Sequence, residues 1–291
     1  MARLKRKLGR VRKAFRDALN IRPLGAAALD GLDRLRETAV AQRFGLPPAP
    51  AREPRFVRIT LPEHRSAWKT REPRHLQSLI DEVYLQKAYE PSARLDPRVI
   101  IDAGGNQGVA TRWLAERFPR ATIHVFEPSP QTFECLQENT RGLGNRVVLN
   151  NAGVWSRNCR QKLFLARTSG SNSLFESHAA RQRAPRKRQN PQDQSVSVKL
   201  LRLDDYLRER GIGNVDLLKI DIEGGEREAL IGLGKRIRDV SHIVGELHLT
   251  TGDPDFEKNV VALLKRNGFA VRVRPVNGSG AIKLFEATQK R

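Results

Sequence analysis

The sequence predicts an α/β fold: a doubly wound, mostly parallel sheet with a helical extension ahead of it. Three observations lead there. Val99-Ile100-Ile101 runs into Asp102 and a glycine-rich turn, and Thr111, Trp113, Leu114 and Phe118 then set a helical period. From that point to the C-terminus short apolar runs alternate with helical periods, the pattern of strands joined by crossover helices. The chain ends in two adjacent strand signals, which makes one strand antiparallel.

Taken in order, residues 1–20 carry Leu4, Leu8, Val11, Phe15 and Leu19 at helical spacing with Lys and Arg between them. This basic amphipathic helix suits docking on an anionic membrane surface or on nucleic acid, or simple packing on its own domain. A second helix is expected over 21–44. Residues 45–62, with Pro47, Pro48, Pro50, Pro54 and Pro62, read as a linker or extended arm, so residues 1–60 form a basic extension. Residues 61–97 read as a helical cap segment. Within it a helix is expected over 74–90, packing through Leu76, Leu79, Ile80, Val83 and Tyr84 and placed to cover a crevice in the sheet.

Residues 98–291 form the main domain. Strands are expected at 98–102, 122–126 and 147–150, with helices over 107–118 and 130–140, the latter opened by Pro130. Two extra strands are expected at 154–166 and 196–203. Between them a polar insertion, 167–195, holds Arg181, Arg183, Arg186, Lys187 and Arg188 and reads as an exposed loop. A short helix starts at Leu203, strands follow at 215–220 and 241–249, and helices at 226–233 and 254–267. Residues 269–274 and 281–286 pair as a terminal hairpin.

The 291 residues carry a net charge of +21 and a mean hydropathy of −0.53. Residues 1–74 hold 19 Lys and Arg against 7 Asp and Glu, which is 19 − 7 = +12, so the remainder carries 21 − 12 = +9. The basic excess favours anionic partners but is concentrated outside the motifs, which suits attachment rather than chemistry. Neither Cys135 nor Cys159 sits in a metal-type spacing, and no apolar run approaches the roughly 18 residues of a membrane span. No secretory signal is read, so reduced thiols and a cytoplasmic location, with a peripheral membrane contact open, are expected.

The chemistry is expected at the strand ends. Asp102, Gly104, Gly105, Asn106 and Gly108 make the first constellation. Glycines admit close backbone approach, and a carboxylate here suits a cationic ligand rather than a phosphate. S-adenosylmethionine, with its amino group and sulfonium, fits that demand. The bland alternative is a tight turn whose Asp caps the helix. Glu127, at the end of the next strand, can accept both hydroxyls of a ribose, and Asn151 at the following strand end joins the cofactor set. The absence of a Walker lysine disfavours nucleoside triphosphates, and the glycine order departs from the dinucleotide fingerprint.

Asp221 and Glu223 end one strand, and Glu246 and His248 the next, each pair at i, i+2. Their convergence suits a general base, a substrate clamp or a divalent-metal site. His248 is expected to take a proton near neutral pH without a large shift, with Asp221 or Glu223 as the alternative base. A metal is the less favoured reading. Ser171-Asn172-Ser173 reads as a turn cluster or a sugar contact. His64, His75, His124, His178 and His242 have no partner pattern, and Trp68, Trp113 and Trp155 read as packing residues.

Four runs together resemble the FkbM family of S-adenosylmethionine-dependent methyltransferases. They are Val99 to Gly108, Val125-Phe126-Glu127-Pro128, Leu203-Asp204-Asp205-Tyr206-Leu207 and Leu218-Lys219-Ile220-Asp221-Ile222-Glu223-Gly224. The resemblance covers roughly residues 95–290, and the last run is its most specific part. It implies a seven-stranded Rossmann-like sheet and, in most members, O-methylation of sugars, polyketides or other natural products. It carries Asp102, Gly104, Gly108 and Glu127 to the cofactor site and Asp221 and Glu223 to the active-site mouth. Gly105 is a departure, standing where many relatives have alanine. Methylation of nucleic acid, with the basic extension and insertion supplying phosphate contacts, is the alternative activity. A non-catalytic binding module is the third reading.

Overall fold

The protein was described from a computed structural model, which covers residues 57–61, 66–166, 168–176, 195–249, 252–276 and 280–290. The helices expected over 1–20 and 21–44, most of the proline-rich arm and the basic part of the insertion lie outside these residues. The chain divides into two compact units, Met1–Gln77 and Ser78–Arg291.

In the first unit, β1 (Val57–Leu61) and β2 (Ser66–Thr70) pair antiparallel, Val57 opposite Thr70 and Leu61 opposite Ser66. This hairpin replaces the end of the expected linker and the start of the expected helical cap. Val57, Ile59 and Leu61 alternate with Arg58 and Thr60, a strand period that the flanking prolines only bracket. Helix α1 (Pro73–Ile80) opens on proline and runs into one wide turn, Asp81–Leu85. The expected helix to residue 90 therefore stops at 85. Leu76, Ile80 and Val83 are buried, while Leu79 and Tyr84 are half-buried.

The second unit holds the seven-stranded sheet. Strands β3 (Val99–Ala103), β4 (Thr122–Phe126) and β5 (Val147–Asn150) run parallel, joined by α2 (Val109–Arg117) and α3 (Pro130–Thr140). Ser129 caps α3 and Pro130 occupies its first turn. After α4 (Leu203–Glu209), β9 (Val215–Ile220) pairs parallel with β3 on its other side. α5 (Glu226–Gly232) and β10 (Val240–His248) extend the sheet that way. α6 (Phe256–Arg266) precedes β11 (Phe269–Pro275) and β12 (Ile282–Gln289).

The order is β11-β12-β10-β9-β3-β4-β5. The direction of growth reverses between β3 and β9, and an open α/β sheet opens its ligand crevice at that point, beyond the carboxyl ends of the strands. The antiparallel strand is β12. It lies second from the edge, between β10 and β11, because the terminal hairpin folds back into the sheet. Ile101, Phe126, Leu218, Ile220, Leu230, Val260 and Leu264 form the core between sheet and helices.

The extra strands form a separate three-stranded sheet, β6 (Gly153–Trp155), β7 (Cys159–Phe164) and β8 (Ser195–Arg202), in the order β6-β8-β7. A single strand was expected over 154–166. The chain instead turns at 156–158, where Asn158 accepts from the Arg202 amide at 2.7 Å and donates to Asp205 at 2.9 Å. Trp155, Leu163, Val198 and Leu200 bury together against Leu174 and Phe175. Cys135 and Cys159 form no disulfide. Among the described residues no helix is long and apolar enough to cross a membrane.

Candidate active site

An open cleft lies at the reversal point. The glycine turn after β3 forms one wall. Gly104 has a φ of +88°, and a Cβ there would lie 1.9 Å from the Asp221 carbonyl oxygen, so only glycine lets the turn close on the β9 end. A Cβ at Gly105 would lie 2.3 Å from Val125 Cγ1. Gly105 is thus matched to Val125 behind it. Gly108 caps α2.

Glu127 lines the cleft at the end of β4. Its Oε2 accepts from the Asn106 amide at 3.0 Å and its Oε1 from the Ser129 amide at 2.9 Å. Burial pushes its pKa up to about 7, against the lowering by those two backbone bonds. Asn151 sits exposed on the rim and donates to the carbonyls of Glu127 and Pro128 at 3.0 and 3.3 Å, bracing the strand end. Asn106 lines the cleft beside them, in contact with Ser169 at 3.2 Å.

Asp102, expected to hold a cation directly or through water, is not among the residues that line the cleft. It is fully buried, accepts from the Thr111 hydroxyl at 2.6 Å and lies 3.3 Å from Lys219 Nζ. The cause is register: Lys219 of β9 stands opposite Asp102 of β3 and supplies its counter-charge. Lys219 also donates to the Gly104 carbonyl at 2.7 Å and lies 3.8 Å from Asp221 Oδ2. Burial alone would lower the Lys219 pKa, but Asp102 and Asp221 raise it, so the ammonium stays charged. Asp102 thus shapes the glycine turn from behind, through Lys219 and Thr111.

The far end of the cleft is acidic. Asp221 and Glu223 line it, with about a fifth of each side chain exposed. Strand β9 ends at Ile220, so these two do not share a strand face as expected. A turn brings them together, with Glu223 in the left-handed region at φ +55°. The buried Ser173 hydroxyl donates to the Glu223 carbonyl at 2.6 Å, and Asn172 accepts from the Ala166 amide at 2.9 Å. Those residues of the insertion serve as turn bonds.

Behind the two carboxylates lies His248. Its Nε2 is 3.4 Å from Glu223, 3.5 Å from Glu246 and 3.8 Å from Asp221, and its Nδ1 is 2.8 Å from Glu226 Oε1. Glu226 also takes the amides of Ile222 and Gly224 at 3.3 and 3.1 Å, which fixes the turn. Burial would lower the His248 pKa, but Glu223, Glu226 and Asp221 hold it well above the ordinary imidazole value. The expectation of a base that titrates without a large shift is thus not met: Glu223, Glu226 and Asp221 favour the protonated imidazole.

Asp221, Glu223 and His248 offer donor atoms within 4.8 Å of one another, the span of a divalent-ion site. A divalent ion bound there would have to displace the proton that these carboxylates favour on His248.

Sequence reasoning missed Lys219, Glu226, Glu82 and Tyr89 as members of this cluster. Lys219 carried a signal, a lysine amid the buried strand residues Leu217, Leu218 and Ile220. Tyr89 and Glu82 carried none, because 132 residues separate Tyr89 from Asp221, to which its hydroxyl bonds at 2.8 Å.

A doubly wound sheet with an acid-flanked glycine turn, and a ribose-type carboxylate one strand over, defines the Rossmann-like methyltransferase class. The comparisons agree. The family model described as "Methyltransferase FkbM domain" matches residues 102–271. Methyltransferase 1 of Beauveria bassiana is 32% identical over 72% of this chain and 88% of its own. The 31-O-demethyl-FK506 methyltransferase FkbM of Streptomyces tacrolimicus is 30% identical over 67% and 82%. The hexuronic acid methyltransferase AglP of Haloferax volcanii is 25% identical over 76% and 81%. The chain belongs to the FkbM methyltransferase family, and it is an S-adenosylmethionine-dependent methyltransferase.

Proposed function

We propose that the enzyme methylates a hydroxyl of a sugar, a glycan or another hydroxylated small natural product. One observation carries the reading. Among the described residues lining the cleft the ionisable ones are Glu127, Asp221 and Glu223, all acidic, and the last two lie at the end away from Glu127. A hydroxyl is a weak nucleophile until its proton has a base to go to, and carboxylates are also good acceptors for sugar hydroxyls. The names of two relatives, which give 31-O-demethyl-FK506 and a hexuronic acid as what they methylate, support the same class. A cleft lined with acids does not favour the phosphates of a nucleic acid.

The residues fit the cofactor. The Gly104 turn leaves no room for a side chain, Glu127 presents a carboxylate to a ribose, and Leu163, Leu174 and Leu200 give the cleft an apolar wall. When bound, S-adenosylmethionine supplies an electrophilic methyl group on a sulfonium. Glu127 accepts ribose hydroxyls, with Asn106 and Asn151 holding the strand end around it. Asp221 accepts the proton of the acceptor hydroxyl, and Glu223 orients the acceptor. His248, as a cation, keeps the carboxylates of this end together. No metal is needed for that assignment, so exhaustive dialysis against a chelator is expected to leave the rate unchanged.

The test is incubation with methyl-labelled cofactor and three acceptor pools: glycosides, polyketide-type natural products and RNA. Label is expected in a hydroxylated small molecule or glycan. Label confined to RNA would overturn the reading.

A further inference from the structure

Two of the three non-glycine residues with left-handed backbone among the described residues stand in the cleft. Asn106, at φ +46°, belongs to the glycine turn, and Glu223, at φ +55°, to the acidic turn. A side chain disfavours that conformation, so it persists only where the surroundings hold it. Both residues are gripped by the same short piece of the insertion. The Ser169 hydroxyl donates to Asn106 Oδ1 at 3.2 Å and accepts from Gln107 Nε2 at 3.4 Å. A little further along, the Ser173 hydroxyl donates to the Glu223 carbonyl at 2.6 Å.

The piece between the two serines is stiff. Ser169–Ser171 is a single 3-10 turn, closed by the Ser171 and Asn172 amides on the carbonyls of Thr168 and Ser169 at 3.1 and 3.3 Å. Ser173 exchanges both backbone bonds with Phe164 at the end of β7, at 2.8 and 3.0 Å. Leu174 and Phe175 then pack into the core of the small sheet. A displacement of one serine is therefore passed to the other instead of being absorbed between them. The bonds reach on into both halves of the cleft. Asn106 gives its amide to Glu127 Oε2, and Glu226 takes the amides of Ile222 and Gly224 on either side of Glu223.

We propose that the Ser169–Ser173 segment is a strap coupling the two halves of the cleft, so that occupation of the donor half sets the acceptor half and the acceptor binds second. This rests on the reading above, which puts the methyl donor at Glu127 and the acceptor at Asp221 and Glu223. Asn106, whose amide serves the Glu127 carboxylate, is fixed in its bend when the donor half is filled. Ser169 then keeps its partner, the segment stays in place, and Ser173 holds Glu223 in the bend that faces the cleft. Such coupling is reciprocal: acceptor strengthens donor binding by the same factor. Ser169 and Ser173 are positioning residues, with no bond to a reacting atom assigned to either. Lys219 joins the same two turns from beneath, through the Gly104 carbonyl and Asp221. A test therefore has to separate the two routes.

Hydrogen–deuterium exchange of the full-length protein with S-adenosylhomocysteine, the demethylated donor, does so without an acceptor. Saturating S-adenosylhomocysteine is expected to slow exchange roughly threefold or more around Glu127 and in peptides covering 169–176 and 221–228. Ser169→Ala, at the same saturation, is expected to keep the slowing around Glu127 and lose it over 221–228. Ser169→Thr, which retains the hydroxyl, is expected to keep both. Slowing over 221–228 that survives Ser169→Ala overturns the strap and leaves the coupling to Lys219. Its absence in the parent, or its loss in Ser169→Thr as well, overturns the strap too, the latter by assigning the effect to packing. With any acceptor that is turned over, Ser169→Ala is expected to raise acceptor KM about fivefold or more at saturating donor, with kcat within about twofold. An unchanged KM overturns the proposal. No slowing around Glu127 in the parent would overturn the proposed donor site and the strap with it, whereas failure over 221–228 alone strikes only the strap.

Discussion

In the proposed reading, cofactor affinity turns on Glu127. It holds its two backbone donors with both carboxylate oxygens and still faces the cleft. Glu127→Ala is expected to cost about 1.5–3 kcal/mol of binding, roughly 10- to 100-fold in Kd by calorimetry. The pH dependence follows from the raised pKa of about 7. Ribose hydroxyls donate to the ionised form, so below pH 7 a proton must first leave, and affinity is expected to fall about tenfold per pH unit. Glu127→Gln is expected to flatten that slope. Lys219 is tested by stability instead. Lys219→Met keeps the volume but strands Asp102 without a counter-charge, and a loss of about 3–5 kcal/mol is expected in denaturant titration. Asp102→Asn added to it is expected to recover part of the loss, because the two charges serve one another.

At the scale of elements, the strap from the insertion onto the acidic turn is exposed to a simple test. Ser173→Ala removes the bond that holds the left-handed Glu223. A severalfold rise in acceptor KM is expected, with a stability loss of about 1 kcal/mol. The parallel strands were legible because they are mostly apolar runs followed by or closed on an acid or asparagine, as in Val99 to Asp102 and Val147 to Asn150. The small sheet was harder. Trp155 and Leu163 read as one run, and the break depends on Asn158 bonding to Arg202 and Asp205, residues more than 40 positions away. The hairpin over 57–70 was hidden by prolines that turn out to flank it. In the site, the acids at strand ends could be listed from spacing. Their partners could not, because Tyr89 and Glu82 approach from a segment with no periodic or motif signal of its own. The charge on His248 was misread for the same reason. An imidazole's state depends on which carboxylates surround it in space, and Glu226 was not counted among them.

For the whole molecule, most of the shifted buried groups act in one direction, with His124, lowered by burial, opposing them. Glu82, Glu246 and Glu127 are raised by burial, and His248 and Lys219 are raised by their carboxylate neighbours. Each group binds its proton more tightly in the folded chain than in the unfolded one. For the carboxyls, the folded state keeps protons that the unfolded state releases above about 4.5. For His248, the contribution is full below its unfolded value of 6.5 and is lost as pH rises through the higher folded value. Stability is therefore expected to decline as pH rises, with a urea midpoint lower at pH 9 than at pH 6. Glu246→Gln is expected to flatten the decline. A midpoint independent of pH would show that these groups titrate alike folded and unfolded.

Lys219 touches both the turn proposed to receive the methyl donor and the Asp221 carboxylate that follows β9. One ammonium thus ties donor and acceptor halves together, so neither can be redesigned by itself from within the sheet. Any change of acceptor preference has to come from pieces free of that tie, the loop around Ser169 and Asn172 that roofs the cleft. Attempts to retarget this enzyme should vary that roof and leave the strand ends alone.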